Sequence, residues 1–547
     1  MGHSSNVRHR TVVVVGSGFG GAMAAWPLVR AGHDVLMLER GPWVERGPHN
    51  WEGEGTITRT PFYESEHFTP ARTEVGPKTV YSASCVGGPS VFYGAVSLRF
   101  REDDFRPNPE IVADSGARWP ITYRDLRPFY DQAEELLQVA GLAGEDPTEP
   151  PRPTTFPQRA NGLSPVSRAL AGAARSMGLN PFRLPLAINY TENGQGRTPC
   201  QECATCDTFA CAVGAKNDLA TTVLSSLQRQ GMELRPETQV VRLHREGSRV
   251  TGVECLDRST GSTYTVTADT VVLAAGALGT PHLLLASGLE ERNPAGEVVG
   301  RYLTRHCSGI AFGAYPWVPL HEGTFHKQIG INDFYLGDPK GRGPAGKLGN
   351  IQQTQTPHIG TVVGETGPAA GLVLAPLVRR ATGLLVMAED RPQYGNRVFL
   401  DGAAEGAKPP RLGIEHFYHD RDIAARRQLY ARAREVHQAA GALATYVHTI
   451  HTFSHALGTV RMGDDEETAP LDAQGRFRGV DNLVVSDGSA FPTSAGVNPS
   501  LTIAANALRV GTILAERLRA EGSGARATGA SIGAQPSPEA TVGGDAR

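Results

Sequence analysis

The chain has 547 residues, of which 40% are hydrophobic and 20% charged, and its formal net charge is −3. That length exceeds a single minimal core, so two or more are expected. The near-balanced charge argues against a nucleic-acid partner, and no run approaches the ~18 apolar residues that span a bilayer.

Residues 1–10 read as a flexible leader. No apolar signal-peptide segment precedes the first strand, which points to a cytoplasmic protein. Val12 to Val15 form a β-branched run, suited to a strand buried on both faces of a parallel sheet. A G-x-G-x-x-G turn follows at Gly16, Gly18 and Gly21 and opens a helix reaching Arg30. The glycines permit a tight turn, close backbone approach to a pyrophosphate and close helix–sheet packing. The helix start offers unpaired N–H groups to phosphate. A second strand, Asp34 to Leu38, ends at Glu39, at the spacing of a ribose-hydroxyl acceptor. This order of strand, turn, helix, strand and acid points to dinucleotide binding, without separating FAD from NAD.

Leu126 to Leu137 has the 3–4 apolar spacing of an amphipathic helix. Asp146 to Pro157 is Pro-rich and reads as a surface loop. Cys200, Cys203, Cys206 and Cys211 then crowd into twelve residues. The readings that stay open are an Fe–S cluster, zinc, disulfides, the last disfavoured in a reducing cytoplasm, and a segment that holds no metal at all. Cys85, Cys255 and Cys307 read as core thiols. Thr270 to Ala277 is another buried strand ending in small residues. Residues 308–400 alternate strand-like runs with Gly/Pro turns, as an antiparallel sheet does. Within them Ala369 to Val378 is the most apolar stretch, read as a buried helix or lid, or as a membrane or partner contact. Asp420 to Ala440 is predicted helical. Residues 521–547 are rich in Gly, Ser, Ala and Pro and are predicted to be a disordered tail.

Five further segments resemble, in order, the signatures of the glucose-methanol-choline (GMC) oxidoreductase family. Gly87-Gly88-Pro89-Ser90-Val91-Phe92-Tyr93-Gly94 is similar to its first signature, and Gly276 through Gly288 to its second. Asn396-Arg397-Val398, after Glu389-Asp390, is similar to its substrate-domain signature. His455 through Gly463 and Asp487 through Ser500 match its C-terminal active-site block. The resemblance spans Thr11 to about Leu518. It implies an α/β fold: a Rossmann-like FAD-binding domain with a parallel sheet, drawn from residues 11–105, 200–305 and 450–520. A substrate domain on an antiparallel sheet, from 106–199 and 306–449, is inserted into it.

The resemblance also implies roles. Glu39 would take the adenosine ribose, with Arg40 beside it, and the backbone of Val240 would meet the adenine. Gly88, Ser90, Tyr93 and Gly94 would lie along the flavin. Tyr93 stands where many members carry Asn, and no His in that segment offers a covalent flavin link. Ala275, Asp487 and Gly488 would line the ribityl-phosphate end. Pro499 would open a helix aimed at the flavin's pyrimidine edge. Oxidising a CH–OH group requires a base for the hydroxyl proton, and His is tuned for that near neutral pH. The resemblance assigns the base to His455, beside flavin N5, and the substrate-orienting donor to Asn498. His448 and His451, close by, read as structural or solvated.

The implied activity is FAD-dependent oxidation of a small-molecule alcohol, with O2 or another electron acceptor. By family analogy the substrate is a sugar, polyol or glycosylated metabolite. Rival readings are an electron-transferring dehydrogenase subunit with an Fe–S centre, and a non-redox flavoprotein lyase. A catalytically silent binding protein is a third, against which intact His455 and Asn498 argue.

Overall fold

The structure is a computed structural model that describes residues 9–530, less 192–195, 317–324 and most of 357–377. The apolar stretch 369–378 and the tail past 530 fall largely or wholly outside these residues.

The valine run does form the first strand, His9–Val15, and Val12, Val13 and Val14 are completely buried. It pairs in parallel with Val35–Leu38 on one side and Thr263–Leu273 on the other. Glu233–Arg235 extends the parallel edge, and Leu483–Val485 also lies parallel to Thr263–Leu273. Two antiparallel strands, Arg249–Asp257 and Thr238–Glu246, complete the sheet. Strands from the N-terminal, middle and C-terminal parts of the sequence thus share one sheet. Each buried Val or Leu contributes roughly 1.5–3 kcal/mol to it.

The two chain ends meet on this sheet. The helix Phe19–Arg30 packs against the helix Ser500–Ala530 so closely that a Cβ on Gly511 would collide with the Ala24 carbonyl. The Ser486 hydroxyl donates to the Gly20 carbonyl at 3.2 Å. The last helix continues past Glu521 to Ala530, into the segment expected to be disordered.

The second sheet is antiparallel throughout. Its order is Ala444–Thr449, Cys307–Ala314, Ala381–Ala388, Gly349–Thr354, Ile329–Ile331 and Phe182–Arg183. Alternate side chains of a strand face opposite ways. Ile351, Val386 and Ala311 face the helices Pro165–Ser176 and Asp420–Ala439 and share a core with Val166, Leu170, Ala425 and Leu429. The opposite face, carrying Asn350, Gln352 and Thr354, turns towards the nucleotide-binding half. No helix among the described residues is long and apolar enough to cross a membrane.

Candidate active site

Gly16 adopts φ +100°, and a Cβ there would collide with the Ala274 carbonyl, so the turn needs glycine at this crossing. A Cβ on Gly21 would collide with the Gly16 carbonyl. At Gly18 an added Cβ meets nothing within 4 Å. The helix that starts after Gly18 has no side-chain cap and no acidic residue in its first turn. Its leading N–H groups are therefore left for an anion, the arrangement that suits a pyrophosphate. The residues present fit a dinucleotide.

Glu39 is buried beneath this turn. Its Oε2 accepts from the Ser17 amide at 3.0 Å and the Ser17 hydroxyl at 2.6 Å, and its Oε1 accepts from the Gly41 amide at 3.0 Å. The carboxylate thus shapes the turn from within. Arg40 turns to the Ser82 hydroxyl at 2.9 Å and towards Glu64. Val240 is buried and sits next to a register shift in its strand pair.

The segment Gly87–Gly94 lies over the glycine turn. The Gly87 amide donates to Ser17 Oγ at 2.9 Å, and a Cβ on Gly88 would come within 3.2 Å of Gly18 Cα. The Ser90 hydroxyl donates to the Gly87 carbonyl and accepts from the Leu219 amide. Tyr93 points its hydroxyl at the Asn217 carbonyl, 3.1 Å away, and packs on Phe19. Asp487 closes the other side. It accepts from the Gly276 amide at 2.9 Å and the Ser489 amide at 2.8 Å, just past Ala275. The Gly488 carbonyl accepts from the Gly458 amide, which brings the His455 loop alongside. Pro499 precedes the last helix, whose first residue, Ser500, donates to the Val96 carbonyl at 3.3 Å.

His455 is half-buried, and its Nδ1 lies 3.1 Å from His306 Nδ1. His306 Nε2 lies 3.0 Å from the Ser494 carbonyl and 3.0 Å from the Ala495 carbonyl. Carbonyls only accept, so His306 must carry its proton on Nε2. Neutral His306 then accepts at Nδ1, His455 donates from Nδ1, and His455 Nε2 is left with a free lone pair. Burial pushes the His455 pKa down to about 3, aided by the neighbouring His306 and Lys327. Burial also lowers His306. Both rings are therefore neutral near pH 7, as this chain of hydrogen bonds requires.

Asn498 stands three residues after Ala495. Its amide Oδ1 is buried with no partner among the described residues. Three non-glycine residues with left-handed backbones gather at these segments: Ala95 at φ +62°, His306 at +63° and Ala495 at +53°. Such strain persists only where surrounding structure over-determines it, and it concentrates at functional sites. A buried ion triad supplies that support. Lys347 Nζ lies 2.9 Å from Asp104 and 2.8 Å from Glu389, and Glu389 accepts from the Ala495 amide at 3.1 Å.

Sequence reasoning missed His306, Lys327 and Asp207. Lys327 and Asp207 pair closely, and a Cβ on Gly94 would collide with both. None of the three carries a local sequence signal, because their neighbours are distant in the chain.

Among the described residues, no three of Cys200, Cys203, Cys206 and Cys211 bring their sulfurs within 4.8 Å of one another. All four are free, and burial pushes Cys200 up to about 12 and Cys206 well above its ordinary value. The segment is anchored by the buried Lys216 ammonium, which donates to the carbonyls of Tyr93, Cys206 and Phe209 at 2.7–3.0 Å.

Two family models, both described as GMC oxidoreductase, match residues 2–308 and 392–507. The 6'''-hydroxyparomomycin C oxidase of Streptomyces lividus is 32% identical over 93% of this chain and 92% of its own. Paromamine 6'-oxidase of Streptomyces fradiae is also 32% identical, over 91% and 90%. The 2-methyl-1,2-propanediol dehydrogenase of Mycolicibacterium austroafricanum is 28% identical, over 92% and 95%. The pyridoxine 4-oxidase structure from Mesorbium loti superposes with a TM-score of 0.66 at 20% identity, covering 92% of this chain and 98% of that one. This last likeness is one of fold.

Proposed function

The chain belongs to the GMC oxidoreductase family, and from that premise we propose that it oxidises a sugar, polyol or glycosylated metabolite with His455 as the base. It is an FAD-dependent oxidoreductase acting on CH–OH donors. Two of its relatives are named for hydroxyparomomycin C and paromamine and a third for 2-methyl-1,2-propanediol, which supports a hydroxyl-rich substrate.

The observation that carries the proposal is the 3.1 Å contact between His455 Nδ1 and His306 Nδ1, with His306 Nε2 held by two carbonyls. His306 holds the His455 Nδ1 proton, so Nε2 is the free basic atom. Bound FAD would supply the hydride acceptor. His455 Nε2 takes the hydroxyl proton while the carbon loses its hydride, and the CH–OH group becomes a carbonyl. Asn498, whose Oδ1 is buried without a partner among the described residues, faces the reacting hydroxyl; Oδ1 can accept from it, and the side-chain NH2 is the group that would donate to the oxygen as negative charge develops. O2 or another acceptor then restores the enzyme.

The test is an anaerobic screen of alcohols against the holoenzyme, following flavin absorbance. Bleaching by a hydroxyl-rich alcohol is expected. A flavin that no alcohol reduces would sink the reading.

A pH dependence follows with a definite sign. The base works only when neutral, and burial holds its protonation down at about 3. Activity should therefore stay level as pH falls from 7 to about 5 and decline only in stronger acid. A limb of kcat/KM near the ordinary histidine value of about 6.5 would contradict this environment.

A further inference from the structure

One wall of the site holds polar groups that the catalytic pair does not use. Gln352 is completely buried, and neither its Nε2 nor its Oε1 has a partner among the described residues. Asn350, also completely buried, gives its Nδ2 to Asn332 at 2.6 Å but leaves its Oδ1 unpaired. Unmade hydrogen bonds inside a protein are costly, and natural structures keep few of them without a reason. Here they share one face of one strand.

That face can be placed. Asn350, Gln352 and Thr354 alternate with Ile351, which is packed on the helix side. At one end, Gly349 touches the loop that carries the donor: a Cβ on Gly496 would come within 2.8 Å of Gly349 Cα, two residues before Asn498. At the other end, Thr354 donates to Asp207 at 3.0 Å, and Asp207 pairs with Lys327 beside Gly94. Lys327 is near enough to His455 to depress its protonation. Across the sheet, Gln352 faces Leu385, which faces Ile310, and both are only half-buried. The face therefore runs from the loop that carries Asn498 to the Lys327–Asp207 pair near the base, with Gln352 midway along it.

We infer that Gln352 and Asn350 are specificity residues that bind the hydroxyl groups of a polyhydroxylated substrate away from the carbon being oxidised. The inference rests on the alcohol-oxidation reading above and names the substrate feature that the site selects. The unpaired atoms are three acceptors (Asn498 Oδ1, Asn350 Oδ1 and Gln352 Oε1) and one donor, Gln352 Nε2. Hydroxyls can satisfy both kinds. A carboxylate or phosphate would face mostly acceptors, and the nearby ammoniums are already spent, Lys327 on Asp207 and Lys347 on Asp104 and Glu389. An alcohol lacking those hydroxyls would bury the amides unpaired, and sites built to hydrogen-bond reject such analogues strongly.

The probes are methyl α-D-glucopyranoside and tetrahydropyran-2-methanol. They share a ring and a primary carbinol and differ in the three ring hydroxyls and the anomeric methoxyl. Wild-type holoenzyme should prefer the glucoside in kcat/KM for flavin reduction, and Gln352→Met should reduce that preference tenfold or more, chiefly through KM. The same variant should unfold at a higher temperature without ligand, because it removes an unsatisfied amide and keeps the volume. A structural role for Gln352 would lower the unfolding temperature instead. Absent preference in the wild type, a preference retained by Gln352→Met, or earlier unfolding of the variant would each overturn the inference. If neither probe nor any other alcohol reduces the flavin, the oxidation reading itself fails, and this inference with it.

Discussion

Replacing His455 with alanine should slow flavin reduction by about 10²–10⁴-fold, the range for losing a general base, while FAD stays bound. The two effects separate because His455 lies in a different segment from the cofactor anchor. Its ring bonds to His306, whereas the glycine turn is held by Ser17, Glu39 and Gly87. Rapid mixing of the anaerobic holoenzyme with a substrate alcohol gives the rate, and the flavin-to-protein absorbance ratio gives the occupancy. A wild-type rate in the variant would remove His455 from the chemistry. His306→Ala should give a milder defect, since the base survives but its tautomer is no longer imposed.

The second large effect is on stability. Lys347→Met should cost about 3–5 kcal/mol, the range for breaking a buried ion group by removing one partner. Lys347 is 4% exposed and sits between Asp104 and Glu389, which are each 1% exposed. Without the ammonium, two buried carboxylates face each other in a low-dielectric space. The damage should also reach the site, because Glu389 accepts from the Ala495 amide and Asp104 from the Tyr335 hydroxyl, itself bonded to the Gly496 amide. The expected result is an earlier unfolding midpoint together with slower flavin reduction. Adding Glu389→Gln should recover part of the midpoint, since it removes one of the stranded charges. An unchanged midpoint for Lys347→Met would show that the triad carries little of the loop's stability.

Parts of this architecture were readable from the sequence because their physics is local. The valine run, the three glycines and the following helix each follow from residues within a few positions, and the structure forms all three. The helix Asp420–Ala439 and the antiparallel sheet were legible in the same way. What the sequence hid depends on residues far apart. His306 matters because it meets His455 and Ala495, 149 and 189 positions away. Gln352 looks like any strand glutamine until its burial is known. The anchoring of the cysteine segment was hidden in the same way: its Cys206 and Phe209 carbonyls accept from the buried Lys216 ammonium, which no cysteine spacing announces. Past Glu521, composition suggested no structure, but the apolar helix begun at Ser500 carries on to Ala530.

The most direct measurement is a crystal structure of the FAD-loaded enzyme with an unreactive alcohol analogue. The account predicts the His455 Nε2 atom within hydrogen-bonding reach of the analogue's hydroxyl, with His306 still bonded to Nδ1. A ring turned away from the flavin, or another histidine in its place, would contradict it.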